Sequence, residues 1–150
     1  MRWSYKTTQV DAFGRGDGPE EPEVNLLASE AEWAWPEAVR QIFRPRGVNL
    51  LVANDVEQFV QIIQRKRIHA AIVDTDPDCS AGLTTIRIIR MEYPRVPCIA
   101  LASTVEEHLL GRALQLEVFS VIGKPVDLGI LQEQLNRLFI KKYSMAIFGR

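Results

Sequence analysis

The run AAIVD at residues 70–74 ends an apolar stretch on a carboxylate, Asp74, and TDPD at 75–78 adds two more acids, Asp76 and Asp78. In open parallel sheets, ligands bind at the carboxyl ends of the strands, so an aspartate there is placed to act on a phosphate or a cation. A matching positive charge, Lys124, follows the apolar run VFSVIG (118–123) and precedes Pro125. Such a lysine makes a satisfactory structural ion-pair partner for the aspartate whatever the history of the site. Asp76 and Asp78 read as solvated loop acids that at most recruit a cation locally.

The other groups able to do chemistry have simpler readings. His69 opens a strand and His108 stands beside Glu106 and Glu107, neither with a nucleophile or base partner in view, so both are expected at the surface or its boundary. Cys79 and Cys98 lack metal-ligand spacing, and Cys98 in the apolar run PCIALA (97–102) reads as a buried free thiol. Trp33 and Trp35, in the turn after the first strand, are expected to pack against the first helix, with covering the sheet edge or a partner contact as the alternative, and the basic run at 65–67 to be a solvated helix end.

The elements that position Asp74 and Lys124 are legible from periodicity. VNLLA (24–28), VNLLVA (48–53), AAIVD (70–74), PCIALA (97–102) and VFSVIG (118–123) are continuous apolar runs of strand length. Between them lie helical patterns. The first is EWAWPEAVRQIF (32–43), with Trp35, Val39, Ile42 and Phe43 in phase and Pro36 in an early turn; the second is a helix capped by Asn54 and bearing Val56, Phe59, Val60, Ile62 and Ile63. The third, LTTIRIIRMEY (83–93), is opened by Gly82 and ended by Pro94; VEEHLLGRALQL (105–116) and LGILQEQLNRLFIKKY (128–143) follow. Uninterrupted apolar strands alternating with helices predict a (βα)5 unit: an α/β three-layer sandwich around a five-stranded parallel sheet, with right-handed crossovers.

Residues 1–23, rich in glycine, proline and charge, read as a flexible N-terminal extension, 24–142 as the folded domain and 143–150 as a C-terminal tail. With 150 residues, 47% apolar and 25% charged, the chain fits one soluble domain. A net charge of −1 from 18 basic and 19 acidic side chains argues against nucleic acid as a partner. No run approaches the roughly 20 apolar residues that span a bilayer, and the N-terminus lacks a secretory apolar core, so no membrane partner and a cytoplasmic location are expected.

From Val24 to Lys142 the pattern resembles the receiver domain of two-component response regulators, a flavodoxin-like fold. The likeness rests on Asp74 ending the third strand, the acidic and proline-marked turn to Gly82-Leu83, Lys124-Pro125 after the fifth strand with matching spacings, and AND at 53–55. The resemblance implies that the third-strand aspartate accepts a phosphoryl group from a histidine kinase or a small phosphodonor. It implies Mg²⁺ held with the help of two acids ending the first strand and a lysine on the phosphate. A Thr or Ser ending the fourth strand and an aromatic on the fifth would then convert the charge into a change of surface.

Carried onto this chain, Asp74 takes the acceptor position and Lys124 the phosphate-pairing one. The acidic pair falls on Ala28 and Ser29, with Glu30 next in line as a surrogate acid; Glu30, Asp74 and Asp76 are then weak metal-ligand candidates. The hydroxyl position falls on Ala102, with Ser103 one step on, and the aromatic position on Val121, with Phe119 two residues earlier and expected on the same face.

This is the pattern of a degenerate receiver. The expected function is a non-enzymatic protein–protein interaction module in signalling, without a cofactor. Its partners would be proteins, a second copy of the chain among them, bound through the fourth helix, fifth strand and fifth helix, where Leu109, Leu110 and Val118 are candidate exposed positions. The alternative is a working phosphoacceptor at Asp74, which would need Mg²⁺. A phosphohydrolase built on the Asp-x-Asp of VDTDP is a more distant reading, because the motif ends the third strand and no acidic pair follows Lys124.

Overall fold

The computed structural model describes residues 24–29, 37, 40, 41, 43–76 and 79–147, with the backbone alone at 79 and 80. Five strands, β1 (Val24–Ser29), β2 (Val48–Ala53), β3 (Ala70–Asp74), β4 (Cys98–Ala102) and β5 (Ser120–Gly123), form one sheet in the order β2-β1-β3-β4-β5. Every pairing is parallel, with Ala28 opposite both Val52 and Ile72, and Asp74 opposite Leu101. The helices are α1 (Val56–Arg65), α2 (Cys79–Glu92), α3 (Glu107–Gln115) and α4 (Leu128–Tyr143), so the fourth and fifth helices expected from the sequence are α3 and α4.

Strand alternation sorts the apolar residues between two cores. Leu26, Ala28, Ile72, Ile99, Leu101 and Ile122 face Leu131, Leu135, Leu138 and Phe139 of α4, together with Phe43. Leu27, Leu51, Ala71, Val73, Cys98 and Ala100 face Phe59 and Ile62 of α1, Leu83, Ile86 and Ile89 of α2, and Leu109 of α3. Both faces are covered, which is why these strands read as continuous apolar runs and not as alternating ones. Burial pushes the Cys98 thiol up to about 12, in keeping with an inert core cysteine.

Several expectations are corrected. Helix α1 is capped by Asp55, whose Oδ1 accepts the Gln58 N–H at 2.8 Å, while Gln58 Oε1 reaches back to the Asn54 N–H at 2.6 Å. Asn54 therefore lies one residue before the cap. Helix α2 starts at Cys79, so Gly82 lies inside its first turn and does not open it. A Cβ at Gly82 would stand 2.7 Å from Thr75 Cα and 2.9 Å from the Asp74 carbonyl oxygen, so this glycine lets α2 lie directly against the end of β3.

Strand β5 begins at Ser120, and alternation does not extend back to residue 119. Phe119 packs with the α4-side core and Val121 with the opposite one.

His69, expected near the surface, is buried before β3, where Nδ1 accepts the Asn25 N–H at 3.1 Å. Its ring contacts Phe139 and Tyr143, and the Tyr143 hydroxyl donates to the His69 carbonyl at 2.7 Å, tying the end of α4 to the amino end of the sheet. His108 is exposed as expected. Beyond α4, Met145 and Ile147 pack on the α4-side core, and the Ile147 N–H donates to Asn136 Oδ1 at 2.9 Å. Trp33, Trp35, Pro36, Val39, Ile42 and Asp78 lie outside the described residues, as do 1–23.

Candidate functional site

The carboxyl ends of β3, β4 and β5 bring together three loops. Asp74 ends β3 with its side chain only 4% exposed. Its Oδ2 accepts from Lys124 Nζ at 2.8 Å, its Oδ1 accepts the Asp76 N–H at 2.8 Å, and its own N–H donates to Ser29 Oγ at 3.2 Å. Lys124 directly follows β5 and is joined to Pro125 by a cis peptide, and its N–H donates to the Ala102 carbonyl at 2.9 Å, which seats it beside β4. The two residues singled out by the sequence as a charge pair are thus in contact.

Asp76 is not a solvated loop acid. Its Oδ2 stands 3.0 Å from Lys124 Nζ, and its carboxylate accepts the Ser103 N–H at 3.1 and 3.2 Å and the Ser103 hydroxyl. Sequence reasoning missed this because it treats each loop as solvent, whereas the turn after Asp74 folds Asp76 back across the strand ends. The available signal was the pairing of an Asp two residues past the strand with a Ser one residue past β4. Ser103 does reach the site, but its recorded partner is Asp76, not Asp74.

One ammonium serves two carboxylates, and the titration directions agree with that. For Asp76, burial alone would raise the pKa, but the hydrogen bonds from Ser103 and Lys124 outweigh it and hold the carboxyl below its usual value. For Lys124, burial alone would lower the pKa, and the hydrogen bonds to Asp74 and Asp76 hold it raised.

The positions where the resemblance places metal-binding acids do not supply them. Ala28 is fully buried in the α4-side core, and Ser29 offers one hydroxyl oxygen already accepting from Asp74. Glu30 lies outside the described residues. Among the described residues, no three His, Cys, Asp or Glu side chains gather as a metal would require. Mg²⁺ needs near-octahedral oxygen donors with carboxylates among them, and at the end of β1 Ala28 has no side-chain oxygen and Ser29 only a neutral hydroxyl. The described donor set does not fit the ion.

The switch positions are likewise apolar: Ala102 is buried among α1, α2 and α3 side chains, and Val121 is half-buried beside it. Next to Asp74 a cavity of about 140 Å³ is lined by Ser29, Asn54, Asp55, Phe59, Gly82 and Thr85. On the outer side of β5 a groove of about 420 Å³ runs along Ser120–Gly123, Pro125, Asp127, Ile130 and Gln134.

A five-stranded parallel sheet covered by helices on both faces, with an aspartate–lysine pair at its carboxyl edge, defines a flavodoxin-like α/β module. The response regulator receiver domain model matches residues 30–136, and the chain belongs to that family. Solved structures of the same kind superpose well. The signal receiver domain of an HD domain-containing protein from Pseudomonas fluorescens Pf-5 is 20% identical, with 83% of this chain and 100% of that one covered at a TM-score of 0.73. A CheY-like receiver domain protein from Methanospirillum hungatei JF-1 is 17% identical, covering 82% and 98% at 0.73. A receiver protein from Pseudomonas putida is 26% identical, covering 79% and 99% at 0.69. No curated protein matches the chain. The fold and the two-component signalling class are therefore those expected from the sequence. No helix among the described residues is long and apolar enough to cross a membrane.

Proposed function

We propose that this receiver domain is a protein-interaction module that works without ordinary Mg²⁺-dependent phosphorylation of Asp74. The observation that carries this reading is the replacement of the acidic pair by Ala28, buried in the core, and Ser29, a neutral hydroxyl that accepts the Asp74 N–H. A phosphoryl dianion on Asp74 would add charge where, among the described residues, two carboxylates already share one ammonium. The module has no catalytic residues and no resident cofactor in this reading.

The partner is a protein, and the face formed by α3, β5 and α4 is where it docks, a second copy of the chain being one such partner. Leu110, Leu114 and Ile130 stand exposed there, at 44%, 78% and 47%. Leu109, expected with them, is turned into the core, and Val118 is half-buried. Exposed apolar side chains grouped on one face support an interface. Sedimentation of the wild type and of a Leu110→Ser/Leu114→Ser variant tests the homodimer: dimers lost in the variant support it, and a monomer at every concentration counts against it.

A second reading has one observation in its favour. Asp74 and Lys124 remain in the contact that a phosphoacceptor site requires. In that reading a histidine kinase or a small phosphodonor modifies Asp74, and Mg²⁺ is held with help from Glu30. Incubation with acetyl phosphate and Mg²⁺ distinguishes the two.

A further inference from the structure

We infer that Asp76 is a built-in anion that fills an oxyanion seat formed by Lys124 Nζ, the Ser103 N–H and the Ser103 hydroxyl, and that it thereby holds the three loops of the site together without any added phosphate. The inference rests on the reading above, that Asp74 is not cycled through phosphorylation, and goes further by naming what takes the place of the added charge.

The donors converge from two strand ends. Ser103 follows β4 and Lys124 follows β5, and the carboxylate of Asp76, arriving from β3, accepts from both. Asp76 is held in position by its own N–H, which donates to Asp74 Oδ1 at 2.8 Å. A backbone N–H, a hydroxyl and an ammonium aimed at one place are the donor set that receives a tetrahedral oxyanion, and charged acceptors are bound there about twice as strongly as neutral ones. The carboxylate is an internal occupant at high effective concentration, so a free anion in solution must displace it before binding. The Asp76 side chain keeps 26% exposure, so the seat opens to solvent and a small anion can enter once that side chain is removed. The chemical class is inorganic phosphate or the phosphate end of an acyl phosphate.

The experiment uses the full chain and inorganic phosphate, with chloride at equal ionic strength as the control, and follows the Ser103 amide by NMR. Asp74→Asn is the background, because it frees Lys124 from its second carboxylate and removes the acceptor, so the outcome is independent of whether Asp74 can be phosphorylated. With Asp76 present the Ser103 amide stays fixed as phosphate is added. In Asp74→Asn/Asp76→Ala it shifts saturably, with at least tenfold tighter phosphate binding. Should that pair of changes unfold the protein, Asp76→Ala alone retains the Asp74–Lys124 contact, and its Ser103 amide must move at higher phosphate. A folded variant lacking Asp76 whose Ser103 ignores phosphate, or a parent that responds equally, overturns the inference.

Discussion

Lys124 Nζ lies 2.8 Å from Asp74 Oδ2, across fifty positions of sequence and across the whole width of β4, since β3 and β5 flank that strand in the sheet. The ion pair is therefore a clasp between non-adjacent strand ends. Asp76 and Ser103 extend it to the β4 loop, so that all three strand ends on this side of the sheet are joined through one ammonium and one hydroxyl.

Lys124→Met leaves Asp74 buried without its cation. The expected loss is about 2 kcal/mol in urea unfolding, below the roughly 3–5 kcal/mol of a fully buried pair because the Lys124 side chain keeps 18% exposure. Adding Asp74→Asn to that variant should recover a large part of the loss, because it removes the stranded charge. Two losses that simply add would show that the pair is not coupled.

Gly82→Ala places a methyl against the backbone of Thr75 and Asp74, neither of which is the free end of a side chain. The expected cost is about 1–3 kcal/mol, read as a lowered thermal midpoint. Gly111→Ala, with open space around the new methyl, serves as the helical control and should be neutral or stabilising.

Asp55→Ala should cost about 1 kcal/mol by removing the α1 cap, and Asn54→Ala much less, since Asn54 takes part through its backbone N–H. Equal losses measured by urea unfolding would restore Asn54 as the cap.

That pair of neighbours also shows where sequence reasoning stops. The bounds of β2, β3 and α4 are readable because apolar periodicity runs their whole length and breaks at polar residues. The cap falls on Asp55 and not on Asn54 as expected, because both side chains have the required chemistry and only the backbone turn chooses. Asp74 and Lys124 were legible as a pair because strand ends converge by topology. The partners of Asp76 were not, because a loop's direction is set by hydrogen bonds such as that from the Asp76 N–H to Asp74, which leave no period in the sequence.

Stability should fall as pH drops through the His69 range. Burial, and after it the Arg67 charge, holds His69 below its usual 6.5 in the folded chain. The ring is buried against Phe139 and Tyr143, and its Nδ1 already accepts the Asn25 N–H. Above 6.5 both folded and unfolded chains carry a neutral ring; below it the unfolded chain takes up the proton first, and folding stability is lost with falling pH. Urea midpoints measured from about pH 7.5 to 5.5 should decline in the wild type and decline less in His69→Asn. Parallel declines in the two proteins would assign the pH dependence to other groups.

In the function proposed above, Asp74 has lost the metal-assisted chemistry of its position. Intact mass after incubation with acetyl phosphate and Mg²⁺, beside an Asp74→Asn control, tests it directly. The account predicts folded wild-type protein with no phosphoryl adduct. An adduct on the wild type that vanishes in Asp74→Asn would contradict it.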